Sequence, residues 1–357
     1  MSQQITVKFT PHDNRIDADF LTLPQALYDT KSIHQNYQEE QQLLAETHPL
    51  SHYFSLHRFV AYKGETPVAR ALVAQYEPGR AFIGYYECVD QPFVAETLFT
   101  TIFAEMKRQS VTTLTGPYNA SFWIQYRMKL NRFTNRPYMG EPTNKPYYQA
   151  QFEAAGFVET HHYVSNEYSR RFDLKTIKEF GRSTKRARRL KYRIVSPRPE
   201  DFLSTMGHTY DLFSRLYSDF PGFVPITKEE YIASLRSLKP LLSMPFVKFA
   251  YHGDDVVGFI VAFPDYGNLA YRPMTVWNKL RIALRRHRAS RYVIMYIGVV
   301  PEHSGLSRAL IRSIVISAVL RGARVIGALA LETKVTAGYA KNRIKKHYTY
   351  GLFEKKI

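Results

Sequence analysis

Two stretches of this chain, 189 positions apart, spell the same hairpin. A chain built from two copies of one unit folds as two similar domains, so this repeat constrains the architecture more than any other feature. Residues 61–73 read AYKGETPVARALV and residues 250–262 read AYHGDDVVGFIVA. Aligned without a gap, Ala61, Tyr62, Gly64 and Val68 match Ala250, Tyr251, Gly253 and Val257, and Glu65 faces Asp254. In each copy an apolar run, a turn of Gly plus acid and a second apolar run predict a β-hairpin.

The segments after the two hairpins also correspond. The first copy continues with a strand at 81–90, a helical run at 93–109 and a strand at 111–117; the second has a strand at 292–300, a helical run at 306–322 and a strand at 323–332. In the later helix Leu310, Ile314 and Ala318 recur at helical spacing, and Gly322 is a C-terminal stop. Hairpin, strand, helix, strand, repeated, predicts an α/β chain of the α+β mixed-sheet kind, with crossover helices. Its 357 residues suffice for two such domains. The expected division is 1–172 and 198–357, joined by a basic stretch at 173–197 that is either a linker or a charged helix across both halves.

Charge narrows the partners. The formal net charge is +18, and it is local. Residues 170–200 carry twelve Lys/Arg against three acids, 270–291 carry seven against none, and 340–357 carry six against Glu354. Clustered cations suit a phosphorylated cofactor, an acidic carrier protein, a nucleic acid or a membrane surface, and equally a solvated face. Within 275–292, Trp277, Leu280, Leu284 and Arg288 fall at helical spacing beside Arg285, Arg286 and His287, which predicts a basic amphipathic helix. No apolar run approaches the ~20 residues of a spanning helix, and MSQQITVKF is unlike a signal peptide, so a cytoplasmic protein without a transmembrane segment is expected. The one cysteine, Cys88, permits no intrachain disulfide and no thiolate metal site; no histidine pair has HExxH spacing, and no phosphate-binding GxxxxGK[ST] loop or GxSxG elbow is present. No metal is expected.

The segment GVVPEHSGLSRAL, 298–310, passes from a buried strand through a glycine-bearing loop into a helix. Such a junction is often only a tight turn, but it can also cradle a phosphate on unpaired backbone amides. These residues carry a resemblance: the second half resembles a GNAT-superfamily acyltransferase, and the whole chain is similar to bacterial proteins with two tandem GNAT-like domains. That superfamily binds the pyrophosphate of acyl-CoA with a Gln/Arg-x-x-Gly-x-Gly/Ala loop. Here the loop is Glu302, His303, Ser304, Gly305, Leu306 and Ser307, with Glu302 in the Gln/Arg position and Ser307 replacing the second small residue. The first half resembles the degenerate N-terminal domain of such proteins through 84–90, 115–123 and 144–157. At its equivalent loop, Val89–Asp90–Gln91–Pro92, an acid and a proline oppose phosphate binding, so no cofactor is assigned to the first domain.

The resemblance implies two tandem GNAT-like acyl-CoA N-acyltransferase domains and transfer of an acyl group from a thioester to a small-molecule amine. The donor is acyl-CoA or acetyl-CoA, or alternatively the phosphopantetheine of an acidic acyl carrier protein. It would be bound by Val299, whose amide polarises the thioester carbonyl, with Val300, His303, Ser304, Gly305, Leu306, Ser307 and Arg308. Glu332 is the candidate base, or else a solvated acid; Tyr339 is the candidate acid. His303 touches phosphate or faces solvent. Asn119 and Tyr147, in aromatic loops of the first half, are candidate substrate contacts. Two other readings stand: a Fem-like aminoacyl-tRNA-dependent transferase, and a catalytically decayed pair that binds nucleic acid or protein.

Overall fold

The computed structural model describes residues 4–10, 14–29, 33–77, 79–170 and 174–357. The chain divides into two compact units, residues 1–163 with 348–357 and residues 164–347.

The first unit holds β1 (Ile5–Thr10), α1 (Asn14–Leu27), α2 (Tyr37–Leu44), β2 (Ser55–Lys63), β3 (Thr66–Glu77), β4 (Gly79–Cys88), α3 (Pro92–Arg108) and β5 (Val111–Gly116). The two-residue strands β6 (Tyr118–Asn119), β7 (Gln125–Tyr126) and β8 (Met128–Lys129), then α4 (Tyr148–Ala154), lead into β9 (Val158–Tyr168), whose last residues belong to the second unit. β1 to β5 lie side by side in sequence order, antiparallel except for the parallel pair β4–β5, which α3 connects. The apolar face of α3, with Val94, Leu98, Phe99, Ile102 and Met106 fully buried, forms the core with β2 to β5.

The second unit repeats this plan. It contains α5 (Leu174–Arg189), β10 (Tyr192–Val195), α6 (Phe202–His208), α7 (Tyr210–Tyr217), α8 (Lys228–Leu238), β11 (Val247–His252), β12 (Asp255–Pro264), α9 (Val276–Arg288), β13 (Arg291–Val299), α10 (Ser307–Val319) and β14 (Arg324–Leu331). The order is β10, β11, β12, β13, β14, again antiparallel except for a last parallel pair, β13–β14, connected by a helix, α10. Ala309, Leu310, Ile314 and Ala318 of α10 pack on Ile260, Ala262, Tyr292 and Val325.

The duplication is visible at the level of register. β2–β3 turns at Gly64 (φ +62°) and β11–β12 turns at Gly253 (φ +63°). A bulge lies at matching positions, between Ala61 and Tyr62 in one and between Ala250 and Tyr251 in the other. Glycine is needed in both turns because a side chain at positive φ is strained.

The boundaries differ from the expected ones in two ways. The stretch 173–197 holds α5 and β10 and lies within the second unit, where Ala187 joins the core cluster. The last strand, β15 (Ile344–Lys356), delivers its final residues to the first unit, where it pairs antiparallel with β5 (Phe353 opposite Gly116) and Phe353 is fully buried in the core. Apolar Leu352 and Phe353 explain why this otherwise basic tail is held in a sheet.

Candidate functional site

In the second unit the parallel strands β13 and β14 pair only at their start, from Arg291 opposite Arg324 to Ile294 opposite Gly327. Beyond that they part, and both arms change from buried to half-buried, β13 from Met295 apart from the buried Gly298 and β14 from Gly327. Two features hold the fork. At its closed end the paired Arg291 and Arg324 share the buried Glu167 carboxylate, at 3.6 and 2.7 Å, and Arg291 also bonds Asp265. Two like charges facing across a strand pair repel, so a carboxylate between them is what lets the pair close. At the open end Leu329 takes a left-handed conformation (φ +53°), and its amide donates to Ser165 Oγ at 2.7 Å.

The fork also has a donor aimed into it. The Val300 amide donates to Val257 O at 2.9 Å on the β12 side. Alternation along a strand therefore turns the Val299 amide to the opposite, β14 side.

Residues Pro301–Leu306 form two short 3₁₀ turns, broken at His303, that run directly into α10. Proline at their start favours that geometry. The His303 amide is spent on Val300 O and the Ser307 amide on Ser304 O. His303 is half-buried, its Nδ1 bonded to the Tyr192 hydroxyl and its ring edge-on to that of Tyr192. Ser304, Gly305 and Arg308 are exposed, while Leu306 is buried in the core with α10. Ser307 Oγ lies 2.8 Å from the Tyr339 hydroxyl, so a residue thirty-two positions away is brought onto the loop. The guanidinium of Arg186 from α5 sits over Gly305, 3.7 Å from where a Cβ would be. Glu332 is an exposed carboxylate just past β14.

In the first unit the equivalent strands β4 and β5 also part, after Phe82 opposite Thr115. There the chain fills its own fork: the Tyr118 backbone presses on Gly84 so closely that no Cβ would fit, and the Tyr85 amide donates to Asn119 Oδ1 at 2.8 Å. Beside this plug lies a small polar cavity lined among others by Tyr28, Glu40, Arg70, Glu87, Asn119 and Tyr148. Arg70 is buried and bonds Glu40 at 2.7 Å. Glu87 accepts the Tyr148 hydroxyl at 2.7 Å, and burial pushes its pKa up to about 7 although Arg70 pulls the other way. Asn119 thus lines a cavity. Tyr147 instead donates to the Cys88 carbonyl at 2.9 Å and is absent from the lining, its hydroxyl pushed up to about 12 by burial.

Sequence alone did not point to Arg186, Ser165, Glu167, Arg70 or Glu87. Arg186 was hidden in a run of like charges. Three of the others had a visible signal, since Arg70, Glu87 and Glu167 are single charges inside strand-forming runs, where an ion survives only with a partner.

No protein-family model matches the chain. Protein YghO of Escherichia coli (strain K12) is 24% identical over 256 residues, 69% of this chain, and the match spans 65% of that protein's length. Among solved structures, a tandem GNAT protein from the clavulanic acid biosynthesis pathway superposes with a TM-score of 0.54 at 12% identity, covering 98% of both chains. A probable N-acyltransferase from Enterococcus faecalis V583 gives 0.52 at 9% identity, over 99% of this chain and 73% of its own. A GCN5-related N-acetyltransferase from Kribbella flavida gives 0.52 at 9%, over 99% and 71%. At these identities the likeness concerns the fold.

Proposed function

The chain has a tandem GNAT-like fold, and from that premise we propose that it is an N-acyltransferase whose donor site is the fork of the second unit. The observation that carries this reading is the parting of β13 and β14 into two half-buried arms, with the Val299 amide turned toward the gap. The donor is a pantetheine thioester: acyl-CoA or acetyl-CoA, with a carrier protein's phosphopantetheine as the alternative. It supplies the activated acyl carbon. Val299 would polarise the thioester carbonyl, and Ser304, Gly305, Ser307 and Arg308, with Arg186 above them, would face the phosphates. Val300 shapes the strand end, and Leu306 anchors the loop in the core.

In the proposed reaction the amine forms the new C–N bond as the C–S bond breaks. The proton from the amine goes to Glu332 through water, and the thiolate takes one from solvent. Tyr339, the candidate acid, is instead bonded to Ser307 on the phosphate-facing loop, the length of a pantetheine arm from the thioester, and there it positions the loop. Support for Glu332 is its place just past β14. Asn119, at the polar cavity of the first unit, is the better supported of the two acceptor contacts; Tyr147 is engaged with the Cys88 carbonyl.

The test is thermal stabilisation by acetyl-CoA, long-chain acyl-CoA and free CoA, in the native protein and in Gly305→Glu. The substituted carboxylate would stand against Arg186 and cancel its charge. A ligand present at one hundred times its Kd stabilises by about 2.7 kcal/mol. A rise in Tm that the variant lacks supports the site, and the preferred chain length narrows the reaction. A rise of equal size in both proteins overturns the loop assignment.

A further inference from the structure

The helix α9 lies on the second unit through one side. Its N-terminus is capped by Thr275, which accepts the Asn278 amide, and Ile282 is buried. Arg285 donates to Tyr266 O at 2.9 Å and Arg286 donates to Pro240 O. These three residues fix one face of the helix against the fold.

The opposite face is uncovered and largely apolar, with the exposed His287 at its C-terminal end. At 100° per residue Val276, Leu280, Leu284 and Trp277 fall within one stripe, opposite Ile282. Val276 is 81% and Trp277 74% exposed, and Leu280 and Leu284 are also exposed, as is Met274 just before the helix. Cations border the stripe on both sides, Arg281 and Arg288 along one edge and Lys279 along the other, all exposed. No acid occurs anywhere in 270–291. Water does not favour a stripe of four large apolar side chains on a folded surface, and such a patch marks a contact.

We propose that α9 is a membrane-docking helix that lies in the interface of an anionic lipid bilayer. The stripe enters the boundary of the acyl chains, Trp277 sits at headgroup depth, and the bordering cations meet lipid phosphates. The charge pattern selects this occupant, because positive charge on both sides of an apolar strip, without a single acid, matches a surface that is uniformly negative above hydrocarbon. Among the described residues no helix is long and apolar enough to cross a membrane, so α9 would bind in the plane. The inference is independent of the acyl-transfer reading.

The experiment is co-sedimentation of the full chain with vesicles of phosphatidylcholine alone and of phosphatidylcholine mixed with phosphatidylglycerol. Three proteins are compared: the native chain, Trp277→Glu/Leu280→Glu/Leu284→Glu, and Lys279→Ala/Arg281→Ala/Arg288→Ala. All six positions are exposed, so circular dichroism should be unchanged. The native chain is expected to bind the anionic vesicles and not the neutral ones. The apolar-to-acid variant should lose binding, and loss of three cations should weaken it roughly 100-fold. A Trp123→Phe background leaves Trp277 as the sole tryptophan, and its emission should shift to shorter wavelength on anionic vesicles. Absence of binding to either vesicle overturns the proposal, as does native-like binding by the apolar-to-acid variant. So does a doubled molar mass in lipid-free solution that this variant abolishes, because a second copy would then cover the stripe.

Discussion

At the residue scale, the charges inside strands decide most. Lys129 and Glu141 form a 2.9 Å pair that is all but fully buried, and Glu141 also accepts the Tyr350 hydroxyl and the Tyr138 amide. Truncating one member of such a pair leaves the other ion without compensation. Lys129→Met is therefore expected to cost about 3–5 kcal/mol in denaturant unfolding, and the double change Lys129→Met/Glu141→Leu to recover a large part of it. Glu87 yields a prediction in pH. Its folded pKa of about 7 lies above the usual carboxylate value, so the folded chain binds the proton more tightly than the unfolded one. Stability from this group is thus greatest below the unfolded value and falls as pH rises toward 7. Glu87→Gln keeps a neutral acceptor for Tyr148, so it should raise Tm at pH 8, where the native carboxylate is charged, with a gain of about 1–3 kcal/mol. The gain should vanish near pH 4. A Tm difference independent of pH would show that Glu87 is not buried in the way described. Neither pair was foreseen, because Lys129 on β8 meets Glu141 in the loop that follows, and Glu87 on β4 meets Tyr148 on α4, only through tertiary packing.

At the element scale, the two hairpins carry the comparison. Both turn glycines sit at positive φ with nothing within 4 Å of a Cβ. An alanine at either would meet no neighbour, and its cost would be conformational alone, about 1 kcal/mol at each site. Equal losses for Gly64→Ala and Gly253→Ala in thermal unfolding are expected; a large difference would mean that the turns, though matched in sequence, are not equivalent in the fold. These hairpins, the crossover helices and the strands flanking them were legible because each rests on a local period that the sequence displays. α5 was not, since its core contact among the described side chains, Ala187, is hidden in a run of charges. The loop at 301–307 was legible only in part. Its glycine and the strand before it were readable, but the 3₁₀ turn begun at Pro301 and the arrival of Arg186 and Tyr339 depend on tertiary packing. Tyr339→Phe tests that packing. It would remove the hydroxyl partner of Ser307 and, if Tyr339 positions the loop, raise the KM for the donor with little change in kcat, whereas a merely structural role would move stability and leave both.

At the scale of the whole molecule, chain order and folding unit diverge. The last ten residues come after the entire second unit in sequence yet belong to the first. They supply the β-partner of β5, the fully buried Phe353, and the Tyr350 hydroxyl that bonds both Glu141 and Tyr138. The repeat could not reveal this, because a duplicated pattern suggests two contiguous domains and carries no term for a strand exchanged at the end. The consequence is that residues 1–163 lack a core strand. Expressed alone, that fragment would leave the β5 edge unpaired and the Glu141 carboxylate short of one donor, so it should show weak hydrogen-exchange protection in β4 and β5. Joining residues 348–357 to its C-terminus through a flexible Gly/Ser linker restores the strand at the small entropic cost of closing the loop. If the strand is integral to the unit, the linked fragment should regain native-like protection and lose it again when the linked segment carries Phe353→Ala. Full protection in residues 1–163 alone would place the C-terminal strand outside the folding core, and the sequence boundary near 172 would then describe the first domain better than its contacts do.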